Sequence, residues 1–192
     1  MSNPEASHKL TLQTQILLVL ACATAYFYAF QLNLYWFEWI EFSHGVNWVF
    51  IPSGLRLLFV LVMAWIGGFG IALSSIAINY SYGDADAHLY NIVTGILSGS
   101  SPCLARYLAI SRFKLDAQLT NLTARDFFKI SVLFAAVNSV MHQIWFYWSD
   151  KTQDFLASTL AMMIGDWFGT VLVLATTSLC IQLYKLKQSP RP

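Results

Sequence analysis

The chain has 192 residues, of which 57% are hydrophobic and only 11% are charged, and its mean hydropathy is +0.55. Soluble domains are about 25% charged, so this chain has too few charged residues to cover a water-facing surface. The formal net charge of +1 gives no indication of a nucleic-acid partner. We expect one integral membrane domain over residues 1–192, an all-α helix bundle with about six transmembrane helices in a lipid bilayer.

The first apolar run follows residues 1–12, which we expect to lie outside the bilayer. Lys9, the run behind it and Ala23-Thr24-Ala25 also fit a cleaved signal peptide. The apolar run continues over residues 26–30, however, and Glu5 weakens the basic segment in front of it. A retained first helix over residues 14–34 is therefore favoured.

The second and third apolar segments are short. After an aromatic linker at 35–47, the second predicted helix covers 50–65, and Gly67-Gly68-Phe69-Gly70 predicts a tight turn before a third helix that ends near residue 80. Each segment is shorter than the about 20 residues that cross a bilayer. A re-entrant pair or one kinked span are therefore alternatives to two complete crossings.

The fourth predicted helix, at 88–110, contains Ser98, Gly99 and Pro102 near its middle. Proline lacks a backbone N–H and clashes with the preceding turn, so the sequence predicts a kink or a break there. Small residues at helical spacing favour close helix packing. A broken helix that lines a cavity is the alternative. Two further helices are predicted over 127–148 and 155–184.

The basic residues indicate the orientation, because cytoplasmic loops of membrane proteins are enriched in Lys and Arg. With both termini cytoplasmic, one side of a six-helix bundle carries Lys9, Arg112, Lys114, Arg125, Lys185, Lys187 and Arg191. The loops of the other side carry Lys151 together with Glu38, Glu41, Asp84, Asp86, Asp150 and Asp154. We therefore expect residues 1–12 and the tail at 186–192 to be cytoplasmic, in a bacterial inner membrane.

Two ionisable residues fall inside predicted helices, where burial of a charge is costly. Arg56 lies about two turns into the second helix, and Asp166 lies near the middle of the last one. Arginine keeps its charge, so we expect each residue to be the other's partner. Such a pair can join two helices as scaffold, or it can also bind a polar solute or move a proton. The two residues could also lie apart.

The fifth predicted helix adds Asn138 and His142, which share a face because they are four residues apart. With Arg56 and Asp166 they lie at similar predicted depth, in the outer half or at the midplane. The sequence therefore predicts that Arg56, Asn138, His142 and Asp166 line a ligand-binding polar cavity reached from outside. A dry hydrogen-bonded network that only orients the helices is the alternative.

No catalytic residues are indicated, since the chain lacks the short motifs of hydrolases, metalloproteases and nucleotide-binding enzymes. The histidines are dispersed, and Cys22, Cys103 and Cys180 have neither disulfide nor zinc spacing. We expect no enzymatic activity, no cofactor and no metal.

Pro52-Ser53-Gly54 and Gly165-Asp166-x-x-Gly169 resemble features of the MASE1 family of bacterial integral-membrane sensory domains. Those domains are usually fused to histidine kinases or cyclic-di-GMP enzymes. The sequence ends at Pro192 without such a region. The resemblance therefore implies a sensory module that signals through a membrane or cytoplasmic protein partner.

A second resemblance rests on Ala21, Ala25 and Ala29 in the first helix. With the size and helix number, this series is similar to substrate-binding subunits of energy-coupling-factor vitamin transporters. In those subunits an alanine series contacts the coupling subunit. The favoured hypothesis is a module that binds or senses a small solute from the outer side. The alternatives are a transport component and an intramembrane enzyme or assembly factor.

Overall fold

The computed structural model of the protein describes residues 10–43, 45–116, 118–119 and 122–188. Within these ranges the helices are α1 (Leu12–Phe37), α2 (Pro52–Met63), α3 (Trp65–Tyr82), α4 (His88–Phe113), α5 (Ala124–Trp148) and α6 (Phe155–Gln188). The predicted all-α bundle is confirmed. His44 and the outermost predicted cytoplasmic residues, 1–9 and 189–192, lie outside the described residues.

The connection between α1 and α2 is more ordered than a linker. It contains a 3₁₀ turn, Glu38–Ile40, and a short antiparallel β-hairpin of β1 (Glu41–Ser43) and β2 (Val46–Asn47). The connections at 83–87 and 149–154 lie at the same end of the bundle, because their residues line one cavity together with the β-hairpin. We call this end the β-hairpin end.

The bundle buries polar side chains and exposes apolar ones. Leu17 of α1 and Leu172 of α6 are 66% and 50% exposed, whereas Asn138 is fully buried. Among the described residues, three helical spans are long and apolar enough to cross a membrane: Leu12–Ile40, Ala124–Trp148 and Phe155–Tyr184. An apolar exterior around a polar interior is the arrangement that a bilayer favours.

Helices α2 and α3 form a tight hairpin that turns at Ala64, where φ is 49° and ψ is −126°. The turn predicted at Gly67–Gly70 is therefore wrong, and these glycines lie inside α3. A Cβ at Gly68 would lie 2.6 Å from the Cys103 sulfur, so the glycine allows α3 to approach α4 closely. With 12 residues, α2 is about 18 Å long, too short to cross the about 30 Å hydrocarbon core alone.

Helix α4 runs without interruption through Pro102. The break predicted at Ser98, Gly99 and Pro102 is therefore not formed. Proline removes one donor from the helix, whereas packing holds the turns on either side of it. A Cβ at Gly99 would overlap the Gly68 carbonyl of α3, and Ser98 contacts α5 through a hydrogen bond to His142.

Gly165 and Gly169 of α6 pack against the non-helical backbone that precedes α2 rather than against another helix. A Cβ at Gly165 would overlap the carbonyl oxygen of Asn47, and one at Gly169 would overlap that of Phe50. The Phe50 amide also donates to the Gly165 carbonyl at 3.2 Å. Gly165 lies ten residues after the start of α6, about 15 Å along the helix. Residues 47–50 therefore dip into the bundle, and α2 begins below the β-hairpin end.

Candidate functional site

A buried polar network joins four helices at one depth. Asn138 lies ten residues before the end of α5, and Asp166 lies eleven residues after the start of α6. The Asn138 amide nitrogen donates to the Asp166 carboxylate at 2.6 Å. Its Oδ1 accepts from Arg56 Nη1 of α2 at 3.1 Å and from the Ser101 hydroxyl of α4 at 2.6 Å.

Arg56 and Asp166 are neighbours on either side of one side chain and are not in direct contact. The side chain of Asn138 lies between them and hydrogen-bonds to both. Arg56 instead donates from Nε to the Tyr26 hydroxyl of α1 at 2.8 Å. Its guanidinium carbon lies 5.4 Å from the Tyr26 ring centroid and 5.3 Å from that of Phe50. Aromatic faces stabilise a cation by an electrostatic attraction of this kind.

His142 lies one turn after Asn138 and points toward α4. Its Nδ1 is 2.9 Å from the Asn138 carbonyl oxygen, and its Nε2 is 3.3 Å from the Ser98 hydroxyl. A neutral ring that donates from Nδ1 to the carbonyl leaves Nε2 to accept from Ser98. His142 is only 2% exposed, so these two contacts hold the imidazole in one orientation.

A cavity of about 360 Å³ extends from the β-hairpin end down to this network. Arg56, His142 and Ser98 line it, whereas Asn138 and Asp166 are absent from its lining and lie behind Arg56 and His142. Sites for small molecules measure about 300–1,000 Å³. The structure thus brings the four predicted site residues together, with two of them on the cavity wall and two supporting it.

Two polar atoms of residues that line the cavity lack a partner in the described part of the chain. Arg56 uses Nε and Nη1 in its hydrogen bonds, which leaves Nη2 without one. The Oδ1 atom of Asn91, in α4, is buried and accepts no hydrogen bond. Buried polar groups are nearly always hydrogen-bonded. An unpartnered donor and an unpartnered acceptor, on two residues that line one cavity, therefore indicate a polar occupant.

The mouth of the cavity is acidic and its wall is aromatic. Glu38, Glu41 and Asp84 line it, while Lys151 places its ammonium 5.5 Å from the ring centroid of Tyr90. The aromatic lining residues are Tyr26, Phe30, Phe50, Tyr82, Tyr90 and Phe146. The cavity therefore has a cation at its floor, three carboxylates and one ammonium near its mouth, and apolar faces between them.

Sequence reasoning missed Tyr26 as a site residue, and it favoured a packing role for Asn91 with the lining of a cavity as the alternative. Tyr26 stands in an apolar run where a tyrosine carries no sign of burial, although it is only 1% exposed. Asn91 belongs to a stripe of small and polar residues in α4 that indicated packing. The available signal was a polar amide side chain in the first turn of a predicted membrane helix. The sequence could not show that the Oδ1 atom of Asn91 lacks a hydrogen-bond partner.

Within the described residues, no group of three or more His, Cys, Asp or Glu side chains is placed to hold a metal ion. Comparison of the chain with protein-family models, curated proteins and solved structures finds no match. The candidate site is therefore interpreted from its own geometry.

Proposed function

We propose that this protein is a multi-pass membrane module that binds a small polar solute in the cavity above Arg56. The β-hairpin end faces the outside of a bacterial inner membrane, both termini are cytoplasmic, and the chain crosses the bilayer about six times. The module has no catalytic activity of its own. Occupancy of the cavity is passed to a membrane or cytoplasmic protein partner.

This proposal rests on the burial, position and contacts of Arg56. It is 5% exposed, lies on the cavity floor and has no carboxylate in direct contact. Arginine stays charged in proteins, and a buried charge is costly unless it is paired. Asn138 and Tyr26 accept hydrogen bonds from two of its nitrogens, and the third nitrogen, Nη2, donates to an anionic group of the solute.

A transport component is the second candidate, because of the outer face of α1. Ala21 and Ala25 are exposed and Ala29 is half-buried, so most of the alanine series is free to contact another protein. A coupling subunit that packs against this face would use the same cavity for uptake. Loss of partner binding on Ala25→Leu, with solute binding retained, favours this candidate over a sensor.

A thermal-shift screen of the purified protein in nanodiscs tests the proposal, since a ligand stabilises the state it binds. The library contains small carboxylates, amines and neutral polar solutes. We expect carboxylates to raise the melting temperature of the wild type, and less so that of Arg56→Lys, which keeps the charge but loses the planar fork.

Lys129→Arg is the matched control, because Lys129 lies on α5 away from the cavity and pairs with Asp126 at 3.3 Å. It should respond to every hit as the wild type does. If no solute shifts the melting temperature, or if hits stabilise Arg56→Lys as much as the wild type, the cavity is not the binding site.

A further inference from the structure

The orientation of Asn91 is fixed by its neighbours. Its side-chain Nδ2 donates to the Asp84 backbone carbonyl oxygen at 2.7 Å, and its backbone carbonyl oxygen accepts from Asn79 Nδ2 at 3.0 Å. An amide flip would place two acceptors against each other, so Oδ1 is the atom left without a partner. Asn91 is 1% exposed and lines the cavity. The unpartnered acceptor therefore belongs to a residue of the cavity lining.

The two unpartnered atoms lie at different depths. Asn91 precedes Ser98 by seven residues and Ser101 by ten, and these two serines contact the His142 and Asn138 side chains of the network that holds Arg56. At the helical rise per residue, Asn91 lies about 10–15 Å from the level of the guanidinium. Allowing about 3 Å for a hydrogen bond at each end, the groups of one ligand that reach both are about 4–9 Å apart.

The charges around the two positions differ in sign. Arg56 is the cation at the floor, whereas Asp84 contacts Asn91 through its backbone and joins Glu38 and Glu41 near the mouth. Lys151 is the one basic side chain of the lining at this level, and it is held over the Tyr90 ring. A group with N–H donors and a positive charge is favoured at the mouth, and an anionic group is favoured at the floor.

We infer that the ligand is a linear zwitterion, with a carboxylate at Arg56 and an ammonium between Asn91 and the acidic mouth. This inference rests on the proposed function and names its solute class. Both ω-amino acids and short peptides have this chemistry. An α-amino acid does not, because its two charges lie on adjacent carbons and cannot reach both positions.

Isothermal titration of the protein in nanodiscs with 6-aminohexanoate, 2-aminohexanoate and hexanoate tests the inference. The first two are isomers that differ in the position of the ammonium along the chain, and the third lacks the ammonium. We expect 6-aminohexanoate to bind at least about tenfold more tightly than either control, because a hydrogen bond from a charged donor is at stake. Triglycine is the fourth probe, and it should bind more tightly than 6-aminohexanoate if the natural ligand is a peptide.

One variant of Asn91 assigns the ammonium position. Asn91→Leu should weaken binding of the zwitterion about tenfold or more while hexanoate binding stays unchanged. If Asn91→Leu does not fold, the affinities of the wild type for 6-aminohexanoate, 2-aminohexanoate and hexanoate decide whether the ligand is a linear zwitterion.

The failures of the two proposals are distinguishable. Equal affinity for hexanoate and the best zwitterion overturns the inference and leaves anion binding at Arg56 intact. Equal affinity for the two aminohexanoate isomers overturns the charge separation. If library solutes bind but neither 6-aminohexanoate nor triglycine does, the linear zwitterion is excluded. If no library solute binds either, the proposed function fails as well.

Discussion

At the scale of single residues, Asn138 decides how a buried cation and a buried carboxylate coexist. Its Oδ1 accepts from Arg56 and Ser101, and its Nδ2 donates to Asp166. A side-chain amide has both kinds of group on one rigid plane. A carboxylate at this position would repel Asp166, and an apolar side chain would leave both charges without this contact.

Asn138→Leu should therefore lower the free energy of unfolding by about 2–5 kcal/mol, because a buried group of each sign loses its partner. Reversible unfolding in mixed SDS micelles measures the change. Ser101→Ala is the control: Oδ1 then still accepts from Arg56, so we expect a loss of only about 0.5–1.5 kcal/mol. Equal effects of the two substitutions would contradict the central position of Asn138.

Sequence alone located this network through residue type and depth. Arg56, Asn138, His142 and Asp166 are costly in hydrocarbon, and their positions in the predicted helices placed them at one level. The bridging geometry was not predictable, because the side-chain rotamers of Arg56 and Asn138 decide whether the charges touch. Tyr26 was missed since its hydroxyl is a partner only after α1 packs on α2.

At the scale of elements, glycines determine where backbone approaches backbone. The carbonyl oxygens of Asn47 and Phe50 pack against Gly165 and Gly169, where the Cβ of any other residue would overlap them. This contact seats the extended residues 47–50 inside the bundle, and with them the start of α2 that carries Arg56.

Gly165→Ala tests this packing by the sign of its effect. Helix propensity alone favours alanine over glycine by about 1 kcal/mol, but the added Cβ meets the Asn47 carbonyl. We expect a net loss of stability and a lower melting temperature. Ala175→Gly, at an exposed position of α6, measures propensity alone and should cost about 1 kcal/mol. A stabilised Gly165→Ala variant would show that residues 47–50 lie elsewhere.

The turn between α2 and α3 gives a second test at this scale. Ala64 adopts φ 49° and ψ −126°, a conformation that favours glycine and costs other residues about 1–3 kcal/mol. Ala64→Gly should therefore raise the free energy of unfolding by about 1 kcal/mol. Ala77→Gly, inside α3, should lower it by a similar amount. Destabilisation by Ala64→Gly would contradict a turn at this residue.

Hydropathy predicted the existence of all six helices and the approximate bounds of most, because long apolar segments leave few alternatives in a bilayer. Local chemistry moved the ends. Thr123 and Asp126 form a capping box that starts α5 at Ala124 rather than at 127. The turn at Ala64 and the unbroken α4 depend on packing between helices. The positions of proline and glycine in the sequence do not predict that packing.

At the scale of the whole molecule, the β-hairpin end and the opposite end differ in charge, and the proposed orientation follows from that difference. In a cysteine-free background, Lys151→Cys should react with a membrane-impermeant maleimide in intact cells, whereas Lys114→Cys should react only after permeabilisation. Gel shifts of the labelled protein provide the measurement. Labelling of Lys114→Cys from outside would invert the topology and place the cavity mouth in the cytoplasm.

The central claim is that the cavity above Arg56 is open to water and accepts an anion. Ser98→Cys in the cysteine-free background tests it, because Ser98 lines the floor beside His142. Ser131 is the control, since it is as buried as Ser98 (1% and 2% exposed) but is absent from the cavity lining.

The rate of modification by an anionic methanethiosulfonate, with the protein in nanodiscs, is the most direct measurement. We expect rapid reaction of Ser98→Cys, slowed when Arg56→Gln is added, and no reaction of Ser131→Cys. Failure of Ser98→Cys to react, in a protein that is folded by circular dichroism, would show that the network is dry and serves only as scaffold.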